Sequence, residues 1–324
     1  MNIGITYDLR DDYLAEGLSE EAVAEFDRKE TIDAIEETLV SLEHSTARIG
    51  NVKALTERLA AGERWDLVFN IAEGLNGFGR EAQVPALLDA YTIPYTFSDP
   101  LVLSITLHKA IAKTIVRSLG LPTPDFFVVT EISDLELAIS RFPAFVKPVA
   151  EGTGKGITAA SKVLDQRQLV SVCGEMLDAF RQPVLVETYL PGREVTVGVL
   201  GTGKEAMSLG VMEISLRNHA ECDVYSYGNK ERCEDLVTYC RVTDPMAKRA
   251  EEIALTIWRA IGGRDAGRID FRADVDGVPN FMEVNPLAGL HPAHSDLCII
   301  ASQAGMSYQK LIKSIVESAM GRLS

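Results

Sequence analysis

Arg268-Ile269-Asp270-Phe271, a turn at Asp276-Gly277, and Phe281-Met282-Glu283-Val284-Asn285 form the stretch on which the fold of this chain is decided. Side chains alternate across an extended strand, so Arg268 and Asp270 share one face while Ile269 and Phe271 share the other. On the returning strand Glu283 and Asn285 fall together, with Met282 and Val284 opposed. An Asp, a Glu and an Asn can therefore meet across neighbouring strands, beside a guanidinium. Oxygen donors on a rigid sheet, with no His or Cys among them, suit Mg²⁺ that keeps several waters and bridges phosphates. An acidic pair alone is more often the wet face of an ordinary hairpin. Its surroundings argue otherwise: Arg268 stands beside the carboxylates, and Asn285-Pro286-Leu287-Ala288-Gly289-Leu290 leaves the strand as a stiff, then flexible, loop.

A metal site of this kind needs phosphate nearby, and upstream segments offer it. Lys147-Pro148-Val149-Ala150-Glu151-Gly152-Thr153-Gly154-Lys155-Gly156 ends a strand in a lysine and continues through alternate glycines, which let backbone N–H groups crowd against an anion. It is not a P-loop, because Val149 stands where the first glycine belongs and Gly156 where Ser or Thr is required. A plain glycine-rich turn is the alternative. In Leu185-Val186-Glu187-Thr188-Tyr189-Leu190-Pro191-Gly192-Arg193-Glu194 a strand edge carries two carboxylates, an arrangement compatible with a purine and its ribose. Two G-x-G-x-x-A patterns, Gly77 to Ala82 and Gly201 to Ala206, are weak signs of a dinucleotide. The first lies past its strand with no acid closing the next one, and the second runs into a strand.

Further out, the first hundred residues alternate strand and helix patterns, with Ile3 and Ile5 in a strand, Ile32, Ile35, Leu39 and Leu42 at helical spacing, and a buried strand over 65–71. This predicts βαβ units around a parallel sheet. One helix is expected over 99–119, followed by a strand at 126–129, a helix near 134–140, strands at 144–148 and 157–163, a helix over 165–180 and a strand at 183–187. A hairpin follows across Gly201-Thr202-Gly203-Lys204, then a polar loop over 217–240, a helix at 245–261 and a closing helix at 308–320.

The chain has 324 residues, 46% hydrophobic and 24% charged, so it is neither disordered nor fibrous. Its net charge of −15 repels nucleic acid and anionic lipid, yet leaves room for a local cationic cleft. The five cysteines, Cys173, Cys222, Cys233, Cys240 and Cys298, show no metal-ligand spacing and read as buried free thiols. The opening residues carry no signal-peptide pattern and no apolar run reaches membrane length, so a cytoplasmic protein is expected. His291 and His294 could bind a transition metal, but Pro292 puts them in a loop where substrate contact or solvation fits better.

Taken in order, Lys109, Lys147, Glu151-Gly152-Thr153-Gly154, Glu187-Thr188-Tyr189-Leu190, Glu194, Lys230, Arg268-Ile269-Asp270 and Glu283-Val284-Asn285-Pro286 resemble the ATP-grasp superfamily and, within it, the D-alanine:D-alanine ligases. The resemblance covers nearly the whole chain. It implies an α/β fold: an N-terminal parallel-sheet substrate domain (1–97), a central ATP-grasp subdomain (98–190) and a C-terminal one carrying the metal site (191–324). Lys109, Lys147 and the glycine loop would contact ATP phosphates, and Glu187-Thr188-Tyr189-Leu190 would lie along adenine. Glu194 would hold ribose, and Lys230 would reach in from the 217–240 loop. Asp270, Glu283 and Asn285 would bind two Mg²⁺, with Mn²⁺ an acceptable substitute, and Arg268 would stabilise the oxyanion.

The implied reaction phosphorylates a carboxylate and lets an amine attack the acyl phosphate, releasing ADP and phosphate. Its partners would be small amino-acid-like substrates rather than nucleic acid or membrane, and a homodimer is compatible. The sequence departs from the family at the amino-acid end. Glu30 and Thr153 stand for the expected catalytic Glu and Ser, Glu231 for a Tyr, and Glu73 lies near the place of a His. Gly289, Leu290, His294 and Ser295 would face the second substrate. The alternatives are a ligase for L-amino acids or another acid and amine pair, and a nucleotide-binding protein that has lost turnover.

Overall fold

Strand patterns of three kinds divide the chain among three sheets. A computed structural model describes residues 1–136, 141–216 and 237–323. The first sheet alternates with helices: β1 (Asn2–Thr6), α1 (Arg10–Ala15), α2 (Lys29–Ser41), β2 (Ser45–Gly50), α3 (Val52–Ala60), β3 (Leu67–Asn70) and α4 (Gln83–Ala90). Its order is β2-β1-β3 with every pair parallel, as the βαβ pattern requires. The sequence reading missed α1, β2, α3 and α4, which are short and weakly patterned.

The expected helix over 99–119 is two helices, α5 (Pro100–Leu107) and α6 (Lys109–Ser118). His108 breaks it by leaving the helical region, φ −87° and ψ 94°, and its Nδ1 accepts from Ile111 N as the cap of α6. The central sheet, β4 (Phe126–Val129), β5 (Ala144–Pro148), β6 (Lys162–Val163) and β7 (Val184–Thr188), runs β4-β7-β5-β6 and is antiparallel, with α7 (Gln166–Phe180) packed on it. The strand expected over 157–163 shrinks to β6, because Thr158 and Ser161 cap each other around a short 3₁₀ turn at Ala159–Ser161. Only the 3₁₀ segment Ile132–Glu136 of the helix expected near 134–140 is described.

The third sheet holds β8 (Glu194–Leu200), β9 (Met207–Leu216), β10 (Val237–Val242), β11 (Ala266–Ala273) and β12 (Pro279–Asn285), in the antiparallel order β10-β9-β8-β11-β12. The expected 217–240 loop therefore gives way to strand at Val237. Residues 217–236, with Lys230 and Glu231, lie outside the described residues. Helix α8 (Pro245–Ile261) covers one face, with Trp258 buried against Gly267, where a Cβ would stand 2.5 Å from the ring. Helices α9 (Asp296–Gln303) and α10 (Tyr308–Gly321) cover the other and pack with α2 and the first sheet in one core around Ile35, Phe69, Leu297 and Ile312. Cys173 and Cys298 are buried, but Cys240 is exposed on β10, against expectation. Among the described residues no helix is long and apolar enough to cross a membrane.

Candidate functional site

The antiparallel register of β11 and β12 sets Asp270 opposite Glu283 and Arg268 opposite Asn285. A bulge at Met282 interrupts the alternation: Phe281 and Val284 both turn into the core, while Glu283 and Asn285 keep the other face. Arg268 lies against Asp270 in an ion pair and comes within 3.7 Å of Asp296 at the start of α9. Thr196 on β8 donates to Asp270 at 2.9 Å, and the Asn285 amide approaches the same carboxyl at 3.5 Å. Burial lifts the Asp270 carboxyl to about 6, Arg268 pulling it down and Glu283 pushing it up. A carboxylate held this way, with a second one opposite and an amide oxygen beside it, fits a divalent cation supported by phosphate oxygens.

The break at His108 brings Lys109 to this face. Its backbone N–H donates to Val149 at 2.9 Å, its ammonium donates to the Glu151 carbonyl, and it stands 3.4 Å from Glu283. Lys109 thus joins the glycine segment to β12. Within that segment Thr153 and Gly154 adopt left-handed φ of 51° and 74°, and Gly156, φ 72°, has Phe180 where a Cβ would be, 2.7 Å away. The turn that results closes on itself, Lys155 N donating to Gly152 and Ile157 N to Gly154, both at 3.0 Å. Gly152 N donates to Glu25 at 2.9 Å, and Glu25 also pairs with Arg80 at 2.7 Å and Lys155 at 3.7 Å. Arg80 in turn donates to the Ala150 carbonyl at 2.9 Å. Burial would raise the Glu25 carboxyl, but Arg80 and Lys155 outweigh it and hold it below the usual range.

Glu25 lines the cavity, whereas Glu30, expected there from the sequence, lies exposed on the first turn of α2 and is not among the lining residues.

At the end of β7 the side chain of Glu187, expected along adenine, lies between two lysines. Its side chain is 1% exposed and points inward, 2.7 Å from the Lys147 ammonium and 2.9 Å from that of Lys113. The ammonium groups approach obliquely, so charge rather than well-aligned hydrogen bonding holds the trio together. Burial would raise the Glu187 carboxyl, but the two lysines keep it below its ordinary value. Glu187 thus braces Lys147. Thr188 and Tyr189 follow at the strand end, where Tyr189 lies under Lys162 (4.2 Å) and Arg272 (5.3 Å). Leu190 is buried, and Glu194 lies 3.5 Å from Arg272.

A cavity of about 560 Å³ gathers Lys109, Glu151, Gly152, Thr153, Arg268, Glu283, Asn285, Gly289, His294 and Ser295 from the expected set. Lys147, Gly154, Glu187 to Leu190, Glu194, Asp270 and Leu290 do not line it. Leu290 is buried and its carbonyl accepts from Tyr308 at 3.0 Å. His291 and His294 stack at 4.4 Å, Ser295 Oγ accepts from His291 N at 2.8 Å, and α9 begins at the cavity wall. Residues missed in the sequence are Arg10, Glu25, Asp27 and Glu81. Of these only Glu81 had a local signal, the G-x-G turn at Gly77–Gly79 that precedes it.

A sequence profile for the D-ala D-ala ligase C-terminus matches residues 115–317. The D-alanine–D-alanine ligase of Bordetella petrii is 34% identical over 271 residues, 82% of this chain and 79% of that protein. This chain belongs to the D-alanine–D-alanine ligase family. The crystal structure of the Bacillus anthracis D-alanine–D-alanine ligase complexed with ATP superposes with a TM-score of 0.74 at 25% identity, covering 99% of this chain and 98% of that one. The VanG D-Ala:D-Ser ligase of Enterococcus faecalis shares the fold, with a TM-score of 0.74 at 21% identity over 98% of this chain and 99% of that one. The ATP-grasp architecture expected from the sequence is therefore the one this ligase-family chain adopts.

Proposed function

We propose that this protein is an ADP-forming ligase that uses ATP to join the carboxylate of one amino acid to the amine of another. The observation that carries the reading is the convergence of Lys109, the glycine loop, Arg268, Glu283 and Asn285 on one cavity, with Asp270 paired to Arg268 beside it. A carboxylate is a poor electrophile, and phosphorylation gives it a leaving group. ATP would lie with its adenine along residues 187–190, its ribose at Glu194 and its phosphates at Lys147, Lys109 and the N–H groups of the glycine loop. Asp270, Glu283 and Asn285 would hold Mg²⁺, which neutralises charge on the transferring phosphoryl group when bound. Lys147 is pre-positioned by Glu187, so little ordering remains when phosphate arrives.

Arg268, locked by Asp270 and Asp296, donates to the oxyanion that forms when the amine attacks. The start of α9 and the Ser295 hydroxyl suit the free carboxylate of the second amino acid, since unpaired N–H groups there favour an anion. Thr153 covers the reacting groups, Glu25 anchors the cover, and Lys230 is assigned from its family position alone. D-alanine is the first substrate to test because it is named in the relatives. Amino-acid-dependent ADP release should appear with Mg²⁺ and fall by at least about 100-fold in Asp270→Ala. Release that survives in that variant would contradict the reading.

A further inference from the structure

The end of the cavity built by the first sheet is more acidic than one α-ammonium requires. Glu73 follows β3, Glu81 follows the Gly77–Gly79 turn, and Asp27 precedes α2; all three line the cavity at the carboxyl ends of the parallel strands. Glu81 is only 9% exposed. Neither Glu73 nor Glu81 accepts a hydrogen bond or pairs with a cation among the described residues. Of the cations around this end, Arg80 pairs with Glu25, Lys109 with Glu283 and the Glu151 carbonyl, and Arg10 with Glu20, while Arg28 also lines the wall beside Asp27. Three carboxylates supplied by separate segments of the wall suit an extended cation that can reach more than one of them.

Glu81 feels the charges of Lys109 and Glu283 at the phosphate end, whereas Glu73 feels Glu81, Glu25 and Asp27 further in. Burial lifts the carboxyl of Glu81 to about 7 and that of Asp27 to about 7, with like-charged neighbours adding, an unfavourable state that a bound cation would relieve.

We propose that the amino acid activated at this site is a diamino acid, its α-ammonium held by Glu81 and its side-chain ammonium by Glu73 with Asp27 behind it. This inference rests on the ligase reading for which substrate carboxylate is activated. Apart from that, it concerns binding alone.

The test pairs each diamino acid with its uncharged isostere: lysine with norleucine, ornithine with norvaline, in both enantiomers. Calorimetric titrations contain Mg²⁺ and a non-hydrolysable ATP analogue, and ADP release is measured in parallel with alanine and with each compound. One enantiomer of lysine or ornithine should bind at least about 10-fold more tightly than its isostere, as expected for charged hydrogen bonds in a buried site. Glu73→Gln should erase that preference. An isostere that binds the wild-type protein equally well, or a preference that persists in Glu73→Gln, would overturn the inference. Diamino-acid binding without ADP release from any amino acid would support it while contradicting the ligase reading. Alanine-driven release without a diamino-acid preference would do the reverse. Absence of binding by any of these compounds would overturn the inference whatever happens to ADP.

Discussion

Two buried carboxylates in this molecule answer burial in opposite ways. Glu187 is stabilised as an anion by Lys113 and Lys147, whereas Glu81 has no cation within pairing distance among the described residues and is lifted to about 7. Folded Glu81 therefore keeps its proton up to about pH 7, while the unfolded chain loses it near 4.5. Between those values the folded state binds more protons, so stability falls as pH rises. Glu81→Gln should stabilise the ligand-free protein by on the order of 2 kcal/mol at pH 8 and hardly at all at pH 4, read from urea unfolding at both pH values. An equal effect at the two would contradict this account.

Asp265 is fully buried and ties three segments together. It accepts from Phe97 N at 2.7 Å and Ser318 at 2.8 Å, and it pairs with Arg322, which donates to the Tyr95 carbonyl at 2.8 Å. Asp265→Ala should cost about 3–5 kcal/mol, because it leaves Arg322 and a buried N–H without their partner. A change below about 1 kcal/mol in chemical denaturation would refute that role.

At this scale the sequence showed Arg268, Asp270, Glu283 and Asn285 because strand alternation is a local property. Glu25 and Arg80 stayed hidden because their pairing spans 55 residues. The inward turn of Glu187 stayed hidden because nothing in its own segment reveals Lys113.

Among elements, the division between α5 and α6 matters most for the site. Leu103, Leu107, Ala110 and Ile111 continue a helical period across the break, and no Gly or Pro marks it, so periodicity alone reads a single helix. Tertiary bonding decides: Lys109 N donates to Val149 at the end of β5, and His108 caps the new helix. His108→Ala should cost about 1 kcal/mol and raise KM for ATP more than it lowers kcat, because Lys109 loses its fixed approach to the phosphate region. A fall in kcat at unchanged KM would show that the cap does not act through Lys109. The hairpin of β11 and β12 was legible as two strands and a turn, but not its bulge at Met282, which depends on how Phe281 packs edge-on to Phe271.

For the whole molecule, the cores suggest how it opens. The first sheet shares one apolar core with α9, α10 and the third sheet. The central sheet has its own, around Val129, Val146, Leu169 and Val186. Hydrogen exchange should therefore show amides of 126–136 and 144–188 opening at lower free energy than those of β1, β3, β8 and β11, with ATP and Mg²⁺ narrowing the gap. Uniform protection without nucleotide would contradict that division. The sequence predicted the alternation of sheets and helices but not the shared core, because the gathering of Phe69, Leu297 and Ile312 into one cluster is set by assembly rather than by local pattern.

The central claim is that phosphate leaves this site carrying an oxygen from the substrate carboxylate. With the amino acid that best stimulates ADP release supplied as its ¹⁸O-carboxylate, the account predicts one ¹⁸O in each phosphate released, detected by mass spectrometry. Phosphate free of ¹⁸O at the same rate of ADP formation would mean that water receives the phosphoryl group, and the acyl-phosphate mechanism would be wrong.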